Sequence, residues 1–173
     1  MRRVLVGLAL TAILTISPFA SVSAAVRWTT YRNTDFGFTI EVPVQPEVTR
    51  AQSGVSPSLQ GIMLLQKENL ALVFTAVDWS SARLDFSPDK MVEQVLNGAL
   101  SNSKFIKDSE TAITKWRYIG RDVTAHRATE NLSLRMRISY HNKHVVATSC
   151  IKKGGFSSTT FCDKYTHSLA FLP

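Results

Sequence analysis

Seven side chains in this sequence have the type and spacing that could support chemistry. Arg135 and Arg137 occupy alternate positions of the stretch Leu132 to Tyr140. His141 and His144 follow that stretch, and His126 precedes it. Cys150 and Cys162 are the two cysteines of the chain. Guanidinium forks match carboxylate and phosphate oxygens, so the alternating arginines define a candidate anion-binding face. Arginines on such a face are also commonly solvated or tied to local carboxylates. His141 and His144 offer two ligands across a turn, and a metal would need a third from Asp122 or His126. Exposed turn histidines are the simpler reading, so no metal and no cofactor is expected.

A hydrolase needs a nucleophile, a base and an orienting group within reach. His126, His141 and His144 with Asp122 are the residues that would serve, but nothing in the spacing singles out a trio. The chain has no Gly-x-Ser-x-Gly, no His-Glu-x-x-His, no phosphate-cradling glycine loop and no EF-hand spacing.

The elements that must position these residues are strands. From Leu132 to Tyr140, even-numbered positions are apolar while Ser133, Arg135, Arg137 and Ser139 take the other face. Asn142-Lys143 links this strand to His144–Ile151 as a tight hairpin. In that register Val145, Ala147, Ser149 and Ile151 join the apolar face. His144 and Thr148 join the arginines, with Val146 as an apolar intruder among them. Two further strands, Phe105–Ile113 and Trp116–Arg127, precede this pair, and their register leaves open whether Asp122 and His126 lie beside the arginines.

Earlier in the chain, Val26–Arg32 and Phe36–Val42 read as strands around the turn Asn33-Thr34-Asp35. Residues 43–58 are poor in large apolar groups and read as a long surface loop, with a short strand near Glu47–Arg50. Gly61–Gln66 and Leu70–Trp79 form a second hairpin. The near-continuous apolar run in Leu70–Trp79 fits a strand covered on both faces. Ser87 caps a helix with Pro88 in its first turn, and Met91, Val92, Val95, Leu96, Ala99 and Leu100 form its apolar stripe, ending near Asn102. After Gly154-Gly155, Ser157 or Ser158 caps a last helix carrying Phe161, Tyr165 and Leu169. Trp28, Trp79 and Trp116 fill core volume or cover a sheet edge, although Trp79 could also line a cleft.

The N-terminus has its own signature. Arg2-Arg3 precede an apolar run from Val4 to Ile16, broken by Ser17-Pro18 and followed by Val22-Ser23-Ala24. This is the pattern of a secretory signal peptide, cut after Ala24 or Ala25, and the run of 13 is short for a spanning helix. Residues 1–24 are thus read as the signal and residues 25–173 as one domain that is periplasmic or secreted, with no transmembrane segment left after cleavage. Losing Arg2 and Arg3 leaves 18 basic and 13 acidic residues, a net of +5. Residues 101–173 hold 12 basic and 5 acidic groups, whereas 25–100 hold 6 and 8. Such asymmetry suits anionic partners or plain solubility.

An even cysteine count in an exported chain points to a disulfide between Cys150 and Cys162. A two-cysteine redox site and a pair of buried thiols are the alternatives. The usual Cys-x-x-Cys redox spacing is absent, and these two thiols alone fall short of a zinc site.

Tyr31–Val48 reads YRNTDFGFTIEVPVQPEV, and the chain closes on FCDKYTHSLAFLP. With two apolar strands, a Ser-Pro-capped helix and an antiparallel run between them, the chain resembles small exported bacterial domains of unknown function related to the PsbP-like α/β/α sandwich. Gly37, Phe38 and Pro43 match the opening strand of such domains. Tyr165, Ser168, Leu169 and Phe171 match the closing tail. The resemblance implies an α+β fold, a central antiparallel β-sheet flanked by helices, and a non-catalytic accessory or binding role. It brings no catalytic residue with it.

The expected function is therefore an exported binding or accessory module of the cell envelope. Its partner would be another envelope protein, or an anionic ligand or surface met through Arg135, Arg137, His126, His141 and His144. Nucleic acid is not the expected partner. The alternative is a small hydrolase or metal-dependent enzyme built on His126, His141 and His144.

Overall fold

The alternating stretch around Arg135 and Arg137 lies within a seven-stranded antiparallel sheet that organises the domain. The computed structural model describes residues 27–53, 56–80, 87–115 and 118–173. The proposed signal peptide and Trp116 lie outside them. In chain order the strands are β1 (Thr29–Asn33), β2 (Phe38–Val42), β3 (Glu47–Ser53), β4 (Ser56–Leu65) and β5 (Leu70–Asp78). Helix α1 (Pro88–Asn102) follows, then β6 (Ile106–Lys115), β7 (Tyr118–Arg127), β8 (Leu132–His141) and β9 (His144–Lys153). Helix α2 (Thr160–His167) and β10 (Ala170–Phe171) close the chain. The large sheet has the order β3-β4-β5-β9-β8-β7-β6, and a small sheet has the order β1-β2-β10.

The β8–β9 hairpin has the register its alternation predicts. His141 faces His144, and Arg137 faces Thr148. Asn142 and Lys143 both take positive φ, 46° and 65°, as a two-residue turn between twisted strands requires.

The two faces of this sheet are covered differently. On one lies α1, with Ser87 Oγ accepting from the Lys90 amide at 3.5 Å and Pro88 opening the helix. Its Val92, Val95 and Leu96 pack on Val123, Met136 and Ile138. The other face is covered by the small sheet and α2, where Phe38, Ile40 and Tyr165 meet Phe74, Val146 and Cys150. Val146 is fully buried there. The intruder on the polar side is a core residue, because that side is itself half covered. The expected sandwich flanked by helices is thus modified: two antiparallel sheets dominate, and a small sheet shares the second layer with a short helix.

Residues 43–58 depart from expectation. They are not mainly a loop but contain β3 and the start of β4. β3 is an edge strand and exposes most of its length, so it needs no large apolar residues. Pro57 is tolerated because β4 pairs with β5 only from Ser58 onward. Gly61 lies against the ring of Phe74 on β5, where an added Cβ would come within 2.1 Å of ring carbons.

The last helix begins at Thr160, later than Ser157 or Ser158 would place it. Thr159 precedes it without a side-chain cap, while Ser158 Oγ accepts from the Thr160 amide at 3.4 Å. The Cys150–Cys162 disulfide joins α2 to β9.

Candidate functional site

Asp122 on β7 lies directly opposite Arg137 on β8, and Thr124 lies opposite Arg135. This pairing settles the register that the sequence left open and puts Asp122 on the arginine face. Arg137 donates to both oxygens of Asp122, Nε to Oδ1 at 2.8 Å and Nη2 to Oδ2 at 2.6 Å. His167, at the end of α2, places Nε2 3.9 Å from the same Oδ2. Arg135 pairs with Asp163 of α2 at 2.7 Å. Thr148, buried between sheet and helix, donates toward the Arg137 and Thr166 carbonyls at 3.4 and 3.3 Å. Both arginines are therefore held by carboxylates of the chain itself, and one of them ties α2 to the sheet.

The histidines do not converge. His126 sits opposite Ser133, and its Nδ1 is 2.5 Å from Asp108 Oδ1 of edge strand β6. His141 lies eight residues farther along the neighbouring strand, roughly 26 Å away at about 3.3 Å per residue. At that end, His141 packs its ring on Phe171 at 5.1 Å. His144 has Nε2 3.6 Å from Asp78 Oδ1 and an edge contact with Phe36 at 6.0 Å. His141 and His144 are thus neighbours, with His126 at the far end of the sheet. Among the described residues no three His, Cys, Asp or Glu side chains are grouped to hold a metal ion.

Two groups have displaced acidity. The Glu110 carboxyl is held below its usual range, first by the hydrogen bond from Lys107, and also by the charges of Lys107 and Arg121. Burial pushes the Tyr165 phenol well above its ordinary value, and its oxygen has no hydrogen-bond partner among the described residues. Trp79 is buried in the α1-side core. Beneath α1, a cavity of about 20 Å³ is lined by Thr75, Ser103, Ser149 and apolar neighbours. That is room for a water at most.

Sequence reasoning missed Asp163 and His167, the α2 residues that meet the arginine face. The signal was present in the cysteines. Arg135 lies opposite Cys150, Cys150 bonds Cys162, and Asp163 is the next residue. The disulfide and the β8–β9 register, both expected from the sequence, together bring Asp163 to Arg135, a step the sequence reading did not take.

No family model matches the sequence, and no curated protein matches it. Among solved structures the fold is similar to that of cyanobacterial PsbP (CyanoP) from Synechocystis sp. PCC 6803. The TM-score is 0.57 at 7% identity, over 89% of this chain and 98% of that one. That likeness defines a PsbP-like fold and nothing about activity. PA94, a Pseudomonas aeruginosa protein of unknown function, matches over 73% of this chain and 83% of its own. Its TM-score of 0.32 and 14% identity are too low to define a shared fold.

Proposed function

We propose that this chain is an exported binding or accessory module of the cell envelope that works by surface contact and not by catalysis, and that its partner is anionic. The observation that carries this reading is where the charge is left over. All five acidic residues of 101–173 are engaged: Asp108 with His126, Glu110 with Lys107 and Arg121, Asp122 with Arg137, Glu130 with Arg127, and Asp163 with Arg135. Lys104, Lys143, Lys152, Lys153 and Lys164 have no carboxylate partner among the described residues. These five lysines are thus unneutralised among the described residues and available to an external anion. The buried disulfide and the PsbP-like fold are compatible with an extracytoplasmic module.

Retention on an anionic matrix near physiological ionic strength tests the reading, and passage without delay would refute it. Replacing Arg135 and Arg137 by Ala, with folding checked by circular dichroism, locates the contact. Lost retention assigns it to the basic sheet face; unchanged retention assigns it to the lysines. The hydrolase alternative would use His126, His141 or His144 with Asp122, and the separation of His126 from the other two weighs only against a site that combines them. Stoichiometric metal, or turnover abolished by His144→Ala, would restore it.

A further inference from the structure

The end of the molecule opposite the β8–β9 hairpin has a composition of its own. Trp28, just before β1, stacks on Phe161 of α2 with ring centroids 4.8 Å apart, and the Lys164 ammonium sits 4.6 Å from the indole centroid. The strand registers fix which end this is. Phe38 of β2 pairs with Phe171, which touches His141 at the hairpin, so Thr29 and Val42 lie toward the other end. Leu65 pairs with Leu70, and Leu70 with Lys152, at that same other end. Lys153 and Phe156 follow within a few residues. Trp28, Phe161, Phe156 and Leu65 are each only half buried, and Arg27, Lys153 and Lys164 are exposed. Nearby Asp163 is already taken by Arg135 and Glu130 by Arg127, which leaves Glu68, in the turn between Leu65 and Leu70, as a carboxylate at this end without an ion-pair partner among the described residues.

We infer that this end docks on the surface of an anionic lipid bilayer. Half-buried aromatic rings with one wet edge, rimmed by lysines on flexible apolar stems, suit the headgroup layer. The ammonium groups would meet lipid phosphates while Trp28 and Phe161 enter the interface. The inference rests on the anionic-partner reading and gives it a surface and a chemistry.

The test is co-sedimentation of the protein, expressed from the whole chain and purified as it accumulates. Vesicles of phosphatidylcholine are compared with vesicles containing phosphatidylglycerol. Binding is expected to the anionic vesicles only, to weaken as salt is raised, and to blue-shift tryptophan fluorescence in a way that Trp28→Phe removes. Lys152→Glu with Lys153→Glu should reduce binding by at least about tenfold. Lys90→Glu with Lys143→Glu makes the same change in net charge toward the hairpin end and should leave binding nearly intact. Equal loss from both pairs reduces the effect to net charge and overturns the docking site. Equal binding to neutral vesicles overturns it as well. Retention on an anionic matrix without vesicle binding refutes the bilayer and leaves the anionic-partner reading standing.

Discussion

Asp122 shows how a residue suited to chemistry becomes structural. It accepts two hydrogen bonds from Arg137 and has His167 nearby, an arrangement that orients α2 on the sheet. The arginines were legible as a face but not as partners, because their carboxylates come from β7 and α2, distant in sequence. Tyr165 gives the cleaner test at this scale. Its hydroxyl is fully buried without a partner among the described residues. Leaving such a group unsatisfied costs about 1–3 kcal/mol. Tyr165→Phe should therefore preserve stability or raise it by about 1 kcal/mol, read from urea unfolding midpoints. A loss of more than about 1 kcal/mol would mean that the hydroxyl is satisfied in solution.

Among the elements, strands with strict alternation were read nearly to the residue, and β8 and β9 kept their predicted register. α1 was equally legible, since Ser87, Pro88 and a single apolar stripe agree with one another. The β3–β4 hairpin was not, because an edge strand such as Glu47–Ser53 carries little hydrophobic signal. α2 was found but begun too early. Its eight residues are too few to be stable by propensity, and tertiary anchoring decides where it starts. The anchor is Cys162, bonded to Cys150 and nearly inaccessible. Removing the bond by Cys150→Ala with Cys162→Ala should cost roughly 2–3 kcal/mol, as expected for a short closed loop. Denaturant unfolding under oxidising and reducing conditions would measure this. The double variant should respond equally in both, whereas the parent chain should weaken only when reduced.

For the molecule as a whole, burial on both faces of one sheet sets the response to pH. The phenol of Tyr165 stays protonated in the folded state beyond the point at which it ionises in the unfolded chain. Its contribution is fully present below the unfolded value, roughly 10, and is lost as pH rises from there toward the folded value. Unfolding midpoints should fall above about pH 10, and one of the four tyrosines should resist ionisation until the fold is lost. Tyr165→Phe should flatten that alkaline decline. The two-sided burial behind this effect was foreshadowed by the continuous apolar run of β5. The small sheet that provides half of it was only partly legible, since β10 is two residues long.

β2 lies between the first strand of the described chain and the last, pairing with β1 on one side and β10 on the other. Its second neighbour is thus synthesised long after it. While translation is still under way, β2 has only one flank closed, and the core over Phe74 and Val146 lacks its full roof. Pairing across so great a sequence separation is intrinsically slow. The roof over that core is therefore completed only once the last described strand has been made, well after the strands beneath it.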